Sequence, residues 1–380
     1  MKNKKITITI LVLFVTTCIL ALIPNQFSLS QNKKAYKVKV VTVDNTNLEQ
    51  YGIAKVGQQA IFVEFLNGPF KKNIVSGVNY LTGKMELDTV YKKGDIALAT
   101  PYIQNGMVIN ATLVGIYRLN YELLVFLIFA FALLLYAGWI GAKALISFVF
   151  SGMMIWKILL PLFLKGYNPV IAAFIVVIIL SAVILFLIGG FTKKALAAFL
   201  GTISGIAITC ILSVVFTHLF KISGAVKPFT ETLLYSGYPH LQITQIFIAG
   251  IFMAASGAVM DISMDVASTI EEVAYHKPDI SRAKLILSGL RVGRSVIGTM
   301  TTTLLLAYSS SYMGLLMVFM AQGTPILQIL NLNYVAAEML NTLLGSFALV
   351  LTAPLTAFSA GILYGKSEKM EVEYEIKNDT

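Results

Sequence analysis

Hydrophobic residues form long uninterrupted runs over most of this chain, but they alternate with polar residues between positions 25 and 121. A helix needs about 20 apolar residues to cross a hydrocarbon core about 30 Å thick. Runs of this length begin at the amino terminus (6–23) and recur at about 121–140, 144–164, 169–190, 195–219, 241–265, 295–320 and 340–363. The pattern therefore predicts an all-α polytopic membrane helix bundle of about eight transmembrane helices.

The alternating region predicts a different kind of structure. Tyr36–Val43 and Gln59–Phe65 alternate residue by residue, and Asn67-Gly68-Pro69 is a turn signal. Short strands separated by frequent turns are typical of a small barrel or sandwich. We expect residues 25–121 to form a small extracytoplasmic β-rich domain.

These patterns divide the chain into four parts. The amino-terminal run is longer than the core of a secretory signal, so we expect a retained anchor, although Ser28-Leu29-Ser30 could serve as a cleavage site. The parts are an amino-terminal transmembrane anchor (1–24), the outer β domain (25–121), a seven-helix transmembrane domain (122–366) with a cytoplasmic helical loop (266–294), and a disordered cytoplasmic tail (367–380).

Two local signals refine the helical region. Ser268–Leu290 reads as helix, turn and helix broken at Lys277-Pro278-Asp279, and its second half is amphipathic, as in helices that lie along a bilayer surface. Gly201-x-x-x-Gly205 and Gly361-x-x-x-Gly365 lie in apolar runs, where small residues let two helices approach closely.

Composition and charge agree with a lipid environment. Only 13% of the residues are charged, about half the share usual in soluble proteins. The net charge of +10 comes from Lys and Arg concentrated on the segments expected inside. This bias predicts two cytoplasmic termini. It also accounts for the positive charge without nucleic acid as a partner. We therefore expect the lipid bilayer as a partner and no nucleic acid.

Chemistry-bearing motifs are scarce. Cys18 and Cys210 fall in apolar runs, and the three histidines are scattered without metal-ligand spacing. Neither a zinc-protease motif nor a nucleophile elbow is present in the sequence. We expect no enzyme activity, no catalytic residues, no metal and no cofactor.

Asp261 and Asp265 are the first candidate site, for transport or ion binding. Carboxylates within a membrane span are costly and call for a functional or structural reason. At 100° per residue the two acids share a helix face with Gly250, Ala254 and Gly257. If the span covers 241–260 the acids lie at the cytoplasmic interface, and if it covers 246–267 they lie inside; hydropathy leaves both registers open.

A polar stripe in the next apolar run is the second candidate. It consists of five residues within about 80° of one another on a helical wheel, namely Arg291, Ser295, Thr299, Thr302 and Ser309. The stripe could line a hydrated path, with Arg291 or Arg294 forming an ion pair with Asp261 or Asp265. Alternatively, the hydroxyl groups bond to their own helix backbone, which is common in membrane helices.

Glu338 and Asn341 are the third candidate, three residues apart where the last span begins on the outer side. Glu338 could be a buried functional acid. It could also stabilise a helix start through the macrodipole.

Several motifs together resemble the YibE/YibF family of bacterial membrane proteins. They are Gly257–Ser268, Ser288-Gly289, Gly293-Arg294, Gly298–Thr301 with Leu305–Tyr308, and Glu338 with Gly345-Ser346 and Pro354–Ala357. The likeness covers roughly residues 115–365, and the outer domain is similar to that of the longer, E-type members. Asn341 stands where the resemblance leads us to expect a basic residue in some relatives. The resemblance implies a topology in the bacterial plasma membrane and leaves the mechanism open.

Two functional hypotheses follow. The first is a secondary permease or efflux-type transporter that uses the intramembrane acid pair as a proton or cation site. The second is a non-transporting scaffold or assembly factor whose outer β domain binds an envelope partner. The resemblance also suggests an F-type member of the same family, or a homo-oligomer, as a membrane partner.

Overall fold

The structure is a computed structural model that describes residues 2–23, 34–310 and 312–365. Its internal contacts divide the chain into two compact units. One unit is Gln26–Leu135, and the other consists of Met1–Asn25 with Tyr136–Thr380. Each unit is described by itself below.

The first unit contains a closed β-barrel. Its strands are β1 (Tyr36–Asp44), β2 (Leu48–Tyr51), β3 (Ala54–Phe65), β4 (Ile74–Thr82), β5 (Ile96–Gln104) and β6 (Met107–Ile116). The order is β1-β5-β6-β4-β3-β2, and an additional β1–β3 pairing closes five strands into a ring. Only β4 and β6 pair in parallel. Of the two β architectures expected, the ring closure corresponds to the barrel.

The barrel interior combines an apolar core with one polar network. Val38, Ile61 and Phe65 are among the fully enclosed apolar residues. Gln59 is also buried, and its side chain donates to the Tyr91 carbonyl (2.9 Å) and accepts from the Tyr91 N–H (3.1 Å). It accepts a further bond from Asn79 (3.1 Å). Because buried polar groups require partners, this network fixes the 83–95 segment to the barrel.

Helices begin before and after the barrel. α1 is Lys2–Leu22, and α2 is Leu119–Met154, followed by one π-helical turn (Ile155–Leu159) and α3 (Leu160–Leu164). Gly138 has φ 51° and ψ −123°, so α2 consists of two helical segments that meet at this residue. The break lies close to the gap predicted between 140 and 144.

The next two helices match the predicted spans 169–190 and 195–219. α4 (Pro169–Gly189) begins where the Asn168 side chain accepts from two backbone N–H groups at 3.0 and 3.1 Å, with proline at the first helical position. α5 (Lys193–Leu219) is capped by Thr192. A short 3₁₀ turn (Gly224–Val226) and α6 (Thr230–Tyr235) follow.

The last part of the chain holds α7 (Ile243–His276), α8 (Arg282–Ser310), α9 (Met313–Ala321), α10 (Ile326–Asn331) and α11 (Asn333–Tyr364). In the described residues, five helical segments are long and apolar enough to cross a membrane, or six if the α8–α9 pair, bent by 64°, counts as one span. The predicted number of eight is therefore not established, although helical spans and a β domain are both present.

Packing in the second unit centres on α11, which lies against α5, α7 and α8. A side chain on Gly201 would collide with Thr356, and one on Gly205 with Thr352. A methyl group added to Gly289 of α8 would lie 2.9 Å from Ala357. The predicted close helix approach at Gly201 and Gly205 is thus confirmed.

The loop between α7 and α8 differs in one respect from the expectation. The chain breaks between His276 and Arg282, as predicted, but the following amphipathic stretch is the first part of α8. Leu285 is fully buried in the helical core, so this stretch packs against other helices and does not form a separate surface helix. The proposed cleavage site at 28–30 and the tail 367–380 lie outside the described residues.

Candidate functional site

A buried ion pair joins α11 to the segment before α6. Glu338 is 7% exposed, and its Oε1 accepts from Lys227 Nζ. The Lys227 side chain is 40% exposed, so only one end of the pair is shielded from the surroundings. Lys227 also lies over the Phe247 ring, 5.7 Å from the ring centre. Burying a carboxylate is costly unless it is paired, and Lys227 supplies the compensating charge.

Asn341 completes the buried group. It lies one helical turn beyond Glu338, is 8% exposed, and its Nδ2 donates to Glu338 Oε2 at 3.2 Å. Its Oδ1 has no hydrogen-bond partner within the described structure. This buried oxygen is therefore available to accept a hydrogen bond or to coordinate a cation.

Two cavities flank this group. One, of about 280 Å³, is lined by Lys227, Asn341 and Thr230 together with α7 residues from Ile243 to Ala254. The other, of about 190 Å³, is lined by Glu338 with Tyr308 and Ser309 of α8 and with residues of α9 and α11. The hydrogen-bonded Glu338–Asn341 pair therefore contributes one residue to each cavity.

Local packing holds Lys227 in position. Gly224 fits against the start of α7 so closely that a side chain there would collide with the Ile243 carbonyl, and its N–H donates to Thr244 Oγ1 at 3.3 Å. Thr230 Oγ1 donates to the Lys227 carbonyl at 2.6 Å. These contacts fix both ends of the segment that carries the lysine.

Asp261 and Asp265 occupy a different environment. Both are exposed on α7, and neither lines either of the two cavities. Among the described residues, neither forms an ion pair with Arg291 or Arg294, which are also exposed, so the predicted pairing is absent. The reason is geometric: Ile270, which α8 contacts through Gly289, is nine residues from Asp261 and therefore half a turn round the helix.

The hydroxyl groups of α8 follow the alternative interpretation. Thr299 donates to the Val296 carbonyl (3.1 Å) and Thr302 to the Gly298 carbonyl (3.4 Å). Ser309 likewise bonds to its own helix, at 3.3 Å, although it also lines the smaller cavity. The structure thus brings Ser309 to Glu338 and leaves the other members of the stripe elsewhere.

Glu271 of α7, unlike Asp261 and Asp265, is paired with residues of two other helices. Its Oε2 lies 2.7 Å from Lys194 Nζ, and its Oε1 accepts from the Tyr364 hydroxyl at 3.0 Å. This contact ties together α5, α7 and α11. Within residues 2–23, 34–310 and 312–365, no group of three or more His, Cys, Asp or Glu side chains is placed to hold a metal ion.

Long apolar helices with small-residue contacts, joined in sequence to a β-barrel, place this chain in the class of multi-pass membrane-type helical proteins. Comparison with known families identifies it further. The model of the YibE/F-like protein family matches residues 125–366, well over half of the chain, so the chain belongs to this family. This confirms the resemblance seen in the motifs. No curated protein and no solved structure gave a match.

Sequence reasoning found Glu338 and Asn341 but missed Lys227 and Tyr308. Lys227 lies in a short segment between helices, 111 positions from its partner, and nothing in its local sequence marks it. A buried acid at the outer start of a span does require a counter-charge from a neighbouring outer segment. That requirement was the available signal, although several lysines could have satisfied it.

Proposed function

We propose that this protein is a multi-pass integral membrane permease of the plasma membrane, with both termini cytoplasmic, whose exchangeable charge is carried by Glu338. The observation that carries the proposal is the buried Glu338–Lys227 ion pair between two cavities. A charge enclosed among membrane helices marks an ion or substrate pathway by default.

The pair is suited to exchange because the side chains of its two members differ in exposure. Glu338 sits on the long helix α11 and is almost fully buried, whereas the Lys227 side chain is partly exposed on a short segment. A proton or a cation that reaches Glu338 can replace the lysine ammonium, which then turns outward. The carboxylate is neutralised before and after this step, so the exchange avoids an unpaired buried charge.

The cavity sizes limit the substrate class. Sites for drug-sized ligands measure about 300–1,000 Å³, and the two cavities here measure about 280 and 190 Å³. The free Oδ1 of Asn341 and the Glu338 carboxylate both accept hydrogen bonds or coordinate cations. These features favour a small cation, or a small solute that carries a hydrogen-bond donor, as cargo.

This proposal moves the coupling site away from the acid pair that the sequence suggested. Asp261 and Asp265 are exposed at the side of α7, whereas Glu338 is enclosed and paired. The two placements make opposite predictions for matched substitutions. Asn and Gln keep the size and hydrogen bonding of the acids that they replace.

The test is proton flux in liposomes that contain the purified full chain and a trapped pH-sensitive dye. Gradients of Na⁺, K⁺ and a panel of small amines are imposed in turn. We expect Glu338→Gln to abolish the flux that the wild type shows, and the double variant Asp261→Asn with Asp265→Asn to retain it. If the double variant loses the flux and Glu338→Gln keeps it in full, the coupling site is the acid pair Asp261 and Asp265 and not Glu338.

A second candidate, a non-transporting scaffold, is favoured by large apolar side chains that the β domain exposes, among them Tyr51, Ile53 and Met85. Such residues can bind an envelope partner. In this case Glu338→Gln should be silent in a knockout strain, while deletion of residues 25–121 should remove function. Absence of any gradient-driven flux in wild-type liposomes, together with that pattern, would replace the permease proposal.

A further inference from the structure

The exposed side of α7 carries a continuous acidic stripe. It consists of Gly250, Ala254, Gly257, Asp261 and Asp265, which are all exposed and lie within about 40° of Asp261 around the helix axis. A methyl group added to Gly250 or to Gly257 would meet no atom within 4 Å. Gly250 and Ala254 also line the larger of the two cavities, so the part of the stripe that the described residues leave open for a neighbour runs from Gly257 to Asp265.

The exposed side of α8 carries a basic stripe. Its residues are Lys284, Arg291, Arg294, Gly298 and Thr302, and all of them are exposed. Gly298 also has no atom within 4 Å of an added methyl group. Within the described residues neither arginine has an ion-pair partner. The two stripes are thus opposite in charge and alike in having small residues beside the charges.

The two stripes lie at the same depth. α7 and α8 run antiparallel, because Gly289 lies against Ile270 and Gly293 lies against Val266. Each step along α7 is therefore matched by an equal step back along α8. Continuing this register by one residue places Asp265 level with Arg294.

The charges of the two stripes lie at the same depth, but they do not point toward each other across the α7–α8 contact. Arg291 lies about 200° round the helix from both Gly289 and Gly293, and Arg294 lies about 100–140° from them, so both arginines lie off the α7 contact. The acidic stripe likewise points away from α8. Within the described residues the opposite charges therefore do not meet inside one chain.

We propose that the acidic stripe of one copy of this protein binds the basic stripe of a second copy. This inference shares the membrane placement of the proposed function but does not depend on transport. Copies inserted in the same orientation hold Asp265 and Arg294 at one depth, so the charges meet without any vertical shift. The contact can form twice about a two-fold axis along the membrane normal, which gives a dimer, or it can repeat head to tail and give a ring if the rotation closes.

A second copy suits both stripes better than the other occupants do. Anionic lipid headgroups would suit the basic stripe and would be repelled by the acidic one. Hydrocarbon would leave the carboxylates uncompensated. A copy of the same chain satisfies both stripes at once, and glycine beside each charge allows the close backbone approach that membrane helix contacts use.

Cysteine cross-linking in native membranes tests the contact. The background is the full chain with Cys18→Ala and Cys210→Ala. One tagged copy carries Asp265→Cys and a differently tagged copy carries Arg294→Cys, and an oxidant is added. We expect a disulfide-linked pair that carries both tags. The control partner is Ser310→Cys, exposed on α8 but 16 residues further along, about 24 Å at 1.5 Å per residue, and it should give no product.

Charge reversal supplies a second, independent readout. Asp265→Arg alone and Arg294→Asp alone should each lower self-association about tenfold, because like charges then meet across the contact. Co-expression of the two variants should restore it, since each then offers the charge that the other lacks. Glu338→Gln should associate as the wild type does, which separates this test from that of transport.

Three results would overturn the proposal. The first is no cross-link between positions 265 and 294 although both cysteines react with a small maleimide. The second is equal cross-linking with the Ser310→Cys control. The third is cross-linking only to a different protein or retention of an anionic lipid, because either result would assign the stripes to another occupant.

Discussion

Replacing Lys227 should lower the free energy of unfolding more than removing the charge of Glu338, although both changes break the same ion pair. Lys227→Met leaves a carboxylate that is 7% exposed, with the Asn341 amide as its remaining described donor. Glu338→Gln leaves instead a lysine that is 40% exposed and can turn toward water. The asymmetry follows directly from the difference in burial.

The magnitudes can be set from the structure. Breaking a fully buried pair by removing one partner costs about 3–5 kcal/mol. Because Lys227 is partly exposed, we expect about 2–3 kcal/mol for Lys227→Met, which includes about 0.5–1 kcal/mol for the lost contact with the Phe247 ring. Glu338→Gln keeps the size of the side chain and an acceptor for Asn341, so about 1 kcal/mol is expected.

The assay is unfolding of the purified full chain in detergent micelles by titration with a denaturing detergent. Lys221→Met is the matched control, an exposed lysine six positions earlier that should shift stability by less than about 0.5 kcal/mol. The reasoning fails if Glu338→Gln is as costly as Lys227→Met, or if Lys227→Met behaves like the control.

Three further predictions concern the helix contacts and the barrel. Gly205→Ala should destabilise the helical unit by about 1–3 kcal/mol, because α11 leaves no room for a methyl group there. Gly152→Ala is the control and should not destabilise it, because an added methyl group would meet no atom within 4 Å. Thermal melts in detergent compare the two variants. Gln59→Leu should cost about 3 kcal/mol by leaving the Tyr91 backbone unpaired, and should raise protease cleavage within 83–95, whereas Gln58→Leu should leave cleavage unchanged. Burial raises the pKa of Tyr91 to about 12, so its contribution to stability is complete below pH 10 and is lost as pH rises toward 12. Between about pH 10 and 12 the free energy of unfolding should therefore fall by about 2–3 kcal/mol less for Tyr91→Phe than for the wild type. Unfolding curves recorded at alkaline pH measure this difference, and an equal fall in both proteins would contradict the assignment.

The sequence predicted the elements of the fold better than their number. Apolar runs located α4 and α5 almost to the residue, because Asn168 and Thr192 cap the same positions at which the runs begin. Hydropathy could not decide how the 119–164 run is divided, since the break at Gly138 is a backbone conformation and changes no hydrophobicity. The closure of the barrel was equally hidden, because it depends on pairing between β1 and β3.

The candidate site was predicted in part, for a similar reason. Glu338 and Asn341 stood out because polar side chains are rare in an apolar run. Their partner Lys227 did not, since a lysine on a short loop is ordinary and the pairing spans 111 positions. Asp261 and Arg291 also stood out, but helix periodicity gives only the face that each residue shares, and the neighbour of that face is set by packing.

The direction in which each charge points has a consequence for mutagenesis. A charge among membrane helices must be compensated either within its own chain or by a neighbour. Glu338 is compensated inside, by Lys227, and lines a cavity. Asp265 and Arg294 point outward without a partner in the described chain. Substitutions at Glu338 should therefore change flux and leave self-association intact. Charge reversals on the stripes should act first on self-association, and any loss of flux should follow from the loss of the contact.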